Sequence, residues 1–564
     1  MKTILISIYT LFLTALVLIF GCAPPEEIPQ PDEPLNPRGT IGSVAKYYAT
    51  EATPVRGIGI VACLAGTGSS ECPPEIRAEL EKYIWQQVPE AGSVNPRLVI
   101  ESQDTAVVEI TGIIPALSTP FDYFDVILKP LSSTQTTSLN GGCLYTAELK
   151  EMSRLSSVEQ FTRFSKTLAI AEGPVYTSQT DPSAAPQWRV LGGGRAKQNS
   201  SVRLILDTAN FTAASIIRNR INERFGPKTA VCVSAVEITL SFPGSYIDQR
   251  EKFLGMVESL MLGGNPEMQR EYAQDLIKQI VSKTNSEQAE IALEGIGKPA
   301  LDILAPLLNH ADPAIRFHAA RCMLNIGDKR SLAVLSGFVQ DRASPYRVDA
   351  IRAVGLSAKR RDAMPILETA LNDSNLQVRL EAYEMLASLN SHVISRRSIS
   401  SGAFSVDSVI CSGPKTIYVY RQKTPKIVLF GSPLRCEENI FIRSEKSLVT
   451  INSLPEDDQI SVSRKHPNRP KMIGPLMSSN DLSVLIQTLG ELPDIQSNNA
   501  VRPGLAVPYA EVLQILKTMS EQGAVLAQYV AGPEAQLEPV LQESPSNGRQ
   551  MSEDDVPVST RIDN

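Results

Sequence analysis

Histidine and tryptophan are scarce in this chain, and the short motifs of common catalytic sites are missing. Its 564 residues include four histidines and two tryptophans, and the histidines are too scattered to give the ligand spacing of a zinc site. The sequence contains no C-x-x-C, H-E-x-x-H or G-x-S-x-G pattern, which are signatures of redox, metal and acyl-transfer chemistry. We therefore expect no metal, no cofactor and no enzymatic activity.

Neither positive nor negative residues are in large excess. The chain has 54 Lys and Arg against 61 Asp and Glu, a net charge of −7, and this mild, dispersed balance argues against a nucleic-acid binder. With 43% hydrophobic and 20% charged residues, the composition is that of a soluble globular protein. A length of 564 residues predicts three or four domains rather than one core.

Residues 1–22 have the pattern of a lipoprotein signal peptide. Lys2 gives a positive start, the stretch from Ile4 to Phe20 is almost entirely apolar, and Gly21-Cys22 follows abruptly. At such a junction the Cys22 thiol takes a diacylglyceryl group and becomes the new N-terminus, which would anchor the protein to a membrane. The alternative is an uncleaved membrane helix, because about 17 apolar residues is the lower limit for a span.

Two segments have compositions that cannot bury a core. Residues 23–40 are rich in proline and acid and predict an extended tether, which at about 3.1 Å per residue reaches roughly 50 Å. Residues 531–564 contain Pro, Ser, Gln and acidic residues without periodicity, and we expect a disordered tail there.

The eight cysteines suit a compartment in which disulfides persist. If Cys22 carries lipid, seven remain, so at least one is free. Cys322 fits that role because it lies among apolar helix positions. Spacing alone does not establish the connectivity. The candidate disulfides are Cys63–Cys72 and Cys411–Cys436.

Three regions are expected between the tether and the tail. Residues 41–264 and 399–530 mix strand-like and helical patterns, whereas residues 265–398 consist of consecutive helical patterns. The predicted fold class is therefore α+β, with two α+β parts flanking an α-helical solenoid insert.

A repeat is visible in the helical region. Arg316, Arg347 and Arg379 occupy equivalent positions that are 31 and 32 residues apart. Paired helices with small residues at their seam resemble HEAT repeats, which stack as a solenoid.

Local patterns predict several individual elements. We expect a strand at residues 98–101, a helix over Phe211–Phe225 with Thr212 as its N-cap, and a hairpin from residues 415–420 and Lys426–Phe430. Residues 455–478 are rich in proline and polar residues, and we expect a loop there.

Four glycines surround the end of an early predicted strand: Gly57, Gly59, Gly66 and Gly68. A dinucleotide site needs G-x-G-x-x-G opening a helix, with an acid about 20 residues further on, and the second glycine pair lacks that spacing. We interpret the four as a structural glycine turn, with a phosphate site as the less favoured alternative.

Basic residues are concentrated in part of the helical region. From Lys298 to Arg361 there are eleven Lys and Arg against five Asp and Glu. One interpretation is a positive solenoid face for an anionic partner, such as a lipid headgroup, a cell-wall polymer or an acidic protein. The interpretation we favour is that Arg316, Arg347 and Arg379 cap neighbouring repeats while the other basic residues coat the surface.

The two flanking parts resemble the bacterial flagellar P-ring protein family. The stretch from Val55 to Gly68 is similar to the family's G-x-G-L-V-x-G-L-N-G-T-G signature, and Phe124-Asp125-Val126 to its I-D-V segment. Residues 207–226 are similar to its D-F-T-T-A-S … I-N-x-R-F-G helix, and a fainter likeness covers residues 410–530. The expected fold is thus two P-ring-like α+β parts flanking the HEAT-like insert.

The resemblance implies a structural role in motility rather than catalysis. Family members form a homo-oligomeric ring in the periplasm at the peptidoglycan, where it acts as a bushing around the flagellar rod. The expected partners are further copies of the chain, the rod and L-ring proteins, peptidoglycan and, through Cys22, a membrane, most simply the outer membrane. No nucleic-acid partner is expected. The alternative is a cell-envelope lipoprotein scaffold that uses the HEAT-like repeats for protein–protein interaction.

Overall fold

A computed structural model describes residues 39–49, 51–87, 95–120, 122–151, 166–178, 186–197, 202–263, 266–444, 448–454, 459–465, 472–492 and 504–534. The predicted signal peptide with Cys22, most of the tether and the tail beyond residue 534 lie outside these ranges. Within them, none of the helices has the length and apolarity of a membrane span.

The N-terminal α+β part consists of a β-barrel and a smaller sheet covered by helices. In chain order, its elements are β1 (Ala45–Tyr48), β2 (Thr53–Ala62), α1 (Pro74–Gln87), α2 (Pro96–Ile100), β3 (Ala106–Ile114), β4 (Tyr123–Pro130), β5 (Cys143–Glu151), β6 (Thr167–Pro174), β7 (Tyr176–Ser178), β8 (Gln187–Ala196), β9 (Val202–Leu206), α3 (Phe211–Phe225), β10 (Ala230–Cys232), β11 (Glu237–Leu240) and α4 (Arg250–Ser259).

The barrel closes in the order β4-β3-β2-β5-β6-β8, because β8 pairs back with β4, and β7 adds to β8. Alternation along β2 separates its side chains: Val55 and Val61 lie in the core of the barrel, whereas Ile58 and Ile60 pack with α1 and α2. Because the barrel closes, β4 and β8 pair with each other and do not remain as exposed sheet edges.

The smaller sheet has the order β1-β9-β11-β10 and is antiparallel throughout. The helices α3 and α4 cover one of its faces, where Leu204, Ile217 and Phe253 are buried together. Tyr48 and Val231, on the outer strands, are each 51% exposed. This sheet therefore has a covered face and two outer strands with exposed apolar side chains.

The helical region is a solenoid, which confirms the predicted insert of helices. Asp312 and Asn375 accept hydrogen bonds from backbone N–H groups and cap two of its helices. Ala320, Ala350 and Ala382 are fully buried where successive helices pack. The helices are α5 (Pro266–Ser282), α6 (Ser286–Ile296), α7 (Leu301–Leu304), α8 (Pro313–Ile326), α9 (Leu332–Gln340), α10 (Arg347–Ser357), α11 (Arg360–Ala370) and α12 (Leu376–Ser388).

The C-terminal α+β part contains two sheets and two helices. A mixed sheet has the order β12-β13-β15-β14-β20, and an antiparallel sheet has the order β16-β17-β18-β19. Its elements are β12 (Ile394–Ile399), β13 (Phe404–Val409), β14 (Thr416–Arg421), β15 (Lys426–Phe430), β16 (Phe441–Arg443), β17 (Val449–Asn452), β18 (Gln459–Lys465), β19 (Met472–Ser479), α13 (Leu482–Gly490), α14 (Tyr509–Glu521) and β20 (Gln528–Glu534).

The mixed sheet lies between two cores. Along β15, Val428 and Phe430 face the solenoid, whereas Ile427 and Leu429 face the core that includes α13 and α14. The last solenoid helix, α12, packs directly on this sheet, with the rings of Tyr383 and Phe430 5.8 Å apart. The solenoid core therefore continues into the C-terminal part.

Two local predictions in the N-terminal part are wrong. Residues 98–101 are not a strand: α2 spans most of them, because Pro96 begins the helix and the Asn95 side chain accepts the N–H of Arg97. The helix Phe211–Phe225 is confirmed, but its N-cap is Asn210 rather than Thr212, since the Asn210 side chain accepts the N–H of Ala213 at 3.0 Å.

Two predictions in the C-terminal part also need correction. Residues 455–478 are not a loop, because they include β18 and most of β19. Ile460 and Val462 alternate into the core, and Pro475 is tolerated because β19 is the outer strand of its sheet. The predicted tail starts too early, since β20 continues to Glu534. The predicted hairpin of β14 and β15 is confirmed.

Candidate functional sites

The four candidate glycines do not form a single turn. Gly57 and Gly59 lie within β2, where a side chain at Gly59 would come within 2.8 Å of Ile110 Cδ1 in the barrel core. Gly66 has a φ of +82° and lies in the turn after β2, and a side chain at Gly68 would collide with the backbone just before β3. The lack of a side chain at Gly57 and Gly59 thus allows close packing in the barrel. At Gly66 and Gly68 it allows the turn after β2 to form.

Two of the solenoid arginines fasten the turn that precedes their own helix. Arg316 donates to the carbonyl oxygens of His310 and Ala311, both at 2.7 Å. Arg379 donates in the same way to the two carbonyls five and six residues before it, at 3.0 and 2.8 Å. These contacts hold the connection to the preceding helix and leave little charge at the surface, since Arg379 is 2% exposed.

Arg347 differs, because it joins two repeats. Its Nε donates to the carbonyl of Val339 at 3.0 Å, and its Nη2 donates to Asp373 Oδ2 at 2.5 Å in the turn before α12. This hydrogen bond lowers the pKa of Asp373 from its ordinary value, against the opposing effect of burial. Arg347 thus contacts the turn of the next repeat, whereas Arg316 and Arg379 fasten the turns before their own helices, and Arg379 also donates to Thr416 of β14.

Six other basic residues are exposed near the connections between solenoid helices, and we call this group the basic edge. They lie in the turns before α7 and α9 and around the start of α11, where Asp362 Oδ2 contacts Lys329 Nζ at 3.3 Å. Asp328, which pairs with Arg330 at 2.6 Å, also offsets part of the positive charge. The exposed members are Lys298, Lys329, Arg330, Lys359, Arg360 and Arg361.

Buried acids occupy the N-terminal end of the solenoid. Glu290 on α6 accepts two hydrogen bonds from Arg321, at 2.7 and 2.6 Å, and lies 2.9 Å from His318 Nδ1. Burial opposes ionisation of Glu290, but Arg321 and His318 outweigh it and hold its pKa below the usual value. The carboxylate is therefore charged and fully paired at this position.

The neighbouring Glu294 connects the solenoid to the N-terminal part. It contacts Lys252 of α4 at 2.7 Å and accepts a hydrogen bond from Asn325 at 2.6 Å. Burial, together with the Glu290 carboxylate, raises the pKa of Glu294 to about 7 against the opposing effect of Lys252. We call Glu290, Glu294 and the groups that bind them the charged junction. Sequence reasoning missed this cluster, although two carboxylates four residues apart among buried apolar positions were its signal.

The two flanking parts also touch each other directly. Asp125 Oδ1 accepts the N–H groups of Gly192 and Lys423, both at 2.7 Å, and so joins the barrel to the turn between β14 and β15. The rings of Tyr176 and Tyr509 lie 6.2 Å apart at the same interface. Asp125 belongs to the Phe124-Asp125-Val126 motif, so this motif residue serves contact between the parts.

The described cysteines are all unpaired in this structure. Cys63 is exposed, whereas Cys72 is buried in the small core beneath α1. Cys411 packs on the solenoid side of the mixed sheet and Cys436 in the core on its other side, so the sheet separates them. Cys322 is fully buried, which raises its pKa well above the ordinary value.

Metal ligands are not grouped in the described part of the chain. No cluster of three or more His, Cys, Asp or Glu side chains occurs among those residues.

Comparison with known proteins agrees with the order of these regions. Residues 40–270 match the family model described as flagellar P-ring protein, and residues 273–355 match that of HEAT repeats. The flagellar P-ring protein of Nitrosospira multiformis is 26% identical over 231 residues, which cover 39% of this chain and 59% of that protein. That of Albidiferax ferrireducens is 26% identical over 234 residues, with the same coverage of both chains.

A further relative, flagellar P-ring protein 1 of Hahella chejuensis, is 28% identical over 223 residues, or 36% of this chain and 55% of that protein. The chain thus spans less than two thirds of the length of these relatives. The fainter likeness of residues 410–530 lies outside the matched ranges and stays a prediction. The predicted resemblance is confirmed for the rest: this chain is similar to the flagellar P-ring proteins over residues 40–270 and carries HEAT repeats directly after that region.

Proposed function

We propose that this chain is a structural subunit of a flagellar P-ring. The match of residues 40–270 to the P-ring family model carries this proposal. In the proposed role, copies of the chain assemble at the peptidoglycan into a periplasmic ring. This ring serves as a bushing around the rod, beside the L-ring. Such a role needs stable contacts between copies and no catalytic group.

Basal-body association tests the proposal most directly. Detergent-extracted basal bodies should contain the protein, and a deletion strain should lose swimming that the wild-type gene restores. A fully motile deletion strain, or basal bodies without the protein, would contradict a P-ring role.

Ring closure needs a head-to-tail contact between two different surfaces of neighbouring copies. The strands β1 and β10 form opposite edges of the smaller N-terminal sheet. Tyr48 on β1 is 51% exposed, as is Val231 on β10, and Val233 just beyond β10 is 63% exposed. Exposed apolar side chains on unpaired edges favour pairing with another chain. We therefore assign the ring contact to the β10 edge of one copy and the β1 edge of the next.

Positive charge introduced at the β10 edge should prevent assembly of the ring. The double variant Val231→Lys, Val233→Lys is expected to sediment as monomers and to form no rings in negative-stain images. The matched control changes two apolar residues of similar exposure elsewhere, Leu454→Lys (58%) and Leu526→Lys (65%). If rings still form with the Val231 and Val233 changes but not with the Leu454 and Leu526 changes, the contact between copies lies elsewhere.

A lipid anchor at Cys22 completes the proposal. The tethered subunit would hang from a membrane, for which we favour the inner leaflet of the outer membrane. Cys22→Ser should release the protein into the soluble fraction, and continued membrane fractionation of that variant would count against the anchor.

The basic edge favours a second candidate function, a cell-envelope scaffold that recruits an acidic protein. Six exposed basic residues near the starts of α7, α9 and α11 would attract a complementary acidic surface. This alternative predicts a monomer or small oligomer that is absent from basal bodies.

The double variant Arg360→Glu, Arg361→Glu should weaken partner binding at low salt. The control Arg270→Glu with Lys278→Glu makes the same charge change on exposed positions of α5 and should have no effect.

A further inference from the structure

The two exposed cysteines of the barrel lie at one end of neighbouring strands. Cys63 directly follows β2, and Cys143 is the first residue of β5. These strands are antiparallel, and Ala62 is the residue directly opposite Cys143. Cys63 is therefore one position away from direct opposition, although 80 residues of sequence separate the two cysteines (143 − 63).

The backbone around the pair is closely packed. A side chain at Gly142 would come within 2.7 Å of Leu64 Cδ2 and 3.1 Å of the Ala62 carbonyl oxygen. Gly142, the residue before Cys143, thus lies close to the residues on both sides of Cys63, with no room for a side chain between them. Neighbouring antiparallel residues have the Cα separations that a disulfide bridges, about 4.4–6.8 Å.

The surroundings of the two thiols agree with this proximity. Partial desolvation raises the pKa of the Cys143 thiol, and the Cys63 thiol and Glu172 raise it further. Cys63 has a φ of +64°, so the chain leaves the strand direction at this residue. Both side chains are exposed and accessible to an oxidant.

The other described cysteines are separated from this end of the barrel. They lie in or against five different hydrophobic cores, so pairing either exposed thiol with one of them would require opening a core. These residues are Cys72 beneath α1, Cys232 beneath α3, Cys322 in the solenoid, Cys411 against the mixed sheet, and Cys436 in the C-terminal core.

We propose that Cys63 and Cys143 form a disulfide that fastens the end of β2 to the start of β5. One thiolate attacks the disulfide of a thiol–disulfide exchange donor and forms a mixed disulfide. The second thiolate then displaces the donor, so that the protein gains one S–S bond and the donor leaves as a dithiol carrying the two protons. The bond secures the Gly66 turn beside the turn that precedes β5, and it does not depend on ring assembly.

Peptide mapping of the full chain, purified from an oxidising compartment with free thiols blocked, tests the pairing. A non-reduced digest should contain one peptide pair that joins Cys63 to Cys143. Cys143→Ser should abolish that pair, whereas the control Cys72→Ala should leave it intact. A Cys63–Cys72 peptide, or full labelling of both barrel thiols in the exported protein, would overturn the proposal.

Stability provides a second readout that keeps the test valid if one variant folds poorly. Reduction of the wild-type protein should lower its Tm by about 5–10 °C, and the double variant Cys63→Ser, Cys143→Ser should show the lower Tm with no response to reductant. A double variant that still loses stability on reduction would show that the stabilising disulfide lies elsewhere.

Discussion

The two ends of the solenoid are attached to the flanking parts by different chemistry. At the N-terminal end, Lys252 of α4 meets the buried Glu294, and Arg321 and His318 hold Glu290 beside it. At the C-terminal end, Tyr383 packs on Phe430 within an apolar core, and its hydroxyl donates to the buried Asp407 of β13. A buried charged attachment depends on every partner being present, whereas apolar burial is insensitive to pH and depends on shape. Glu294 should therefore make the stability of the N-terminal end depend on pH near neutrality, whereas the packing of Phe430 at the other end should not depend on it.

The largest expected effect is at the apolar end. Phe430→Ala removes a fully buried ring that contacts Tyr383 and lies 5.6 Å from the Arg379 guanidinium. A cavity of this kind costs about 4 kcal/mol of unfolding free energy. Urea unfolding and hydrogen exchange of the α12 amides would measure it. Phe441→Ala, at a 60% exposed ring, should change stability by less than about 0.5 kcal/mol. Equal effects of the two variants would contradict the apolar attachment.

A slightly smaller loss is expected at the charged end. Glu290→Ala leaves the partly buried Arg321 without its carboxylate partner, which costs about 3 kcal/mol. Hydrogen exchange should show the loss in α6 and α8 and not in α12. The matched control Glu287→Ala changes an exposed acid on the same helix and should be nearly neutral. Protection that falls equally in α12 would mean that the two ends unfold as one unit.

The pH dependence distinguishes the ends further. Glu294 has a folded pKa of about 7, raised above its ordinary value of 4.5. Between these values the folded state binds more protons than the unfolded state, so the stability that Glu294 contributes is present below about pH 4.5 and is lost as the pH rises through 7. The N-terminal end should thus weaken by about 2 kcal/mol from pH 5 to 7.5.

Glu294→Gln should remove that slope while leaving the C-terminal end unchanged. Hydrogen exchange of α6 and α12, followed at several pH values and corrected for intrinsic exchange rates, separates the two ends. If the pH slope of α6 persists in the variant, the dependence does not arise from Glu294.

The smallest effect concerns the polar contact within the apolar end. Arg379 donates to Thr416 Oγ1 at 2.9 Å, and Thr416 is fully buried. Thr416→Val keeps the shape and removes this acceptor, and it should cost about 1 kcal/mol. Thermal denaturation would measure the change, with Thr518→Val on α14 as a half-buried control whose hydroxyl donates to a carbonyl of its own helix. A loss as large as that of Phe430→Ala would mean that this attachment is polar after all.

Local sequence patterns predicted the solenoid well because its contacts are local. The recurring arginines and alanines mark helices that pack on their neighbours in the chain, and the structure shows these helices. The same reasoning failed for β18 and β19, since pairing with other strands, rather than composition, decides whether a polar, proline-containing segment becomes a strand. It also missed the charged junction, because carboxylates on a helix look solvent-facing until another element covers them.

By itself, the sequence determined the α+β class, the helical repeats and the likeness to flagellar P-ring proteins, since these depend on periodicity and on motifs in a fixed order. Only the tertiary structure decided which distant residues meet. It placed Asp125 against the turn at Lys423, Lys252 against Glu294, and Cys143 beside the end of β2. The physical reason is that barrel closure and sheet packing join segments tens to hundreds of residues apart, a distance over which local propensity carries no information.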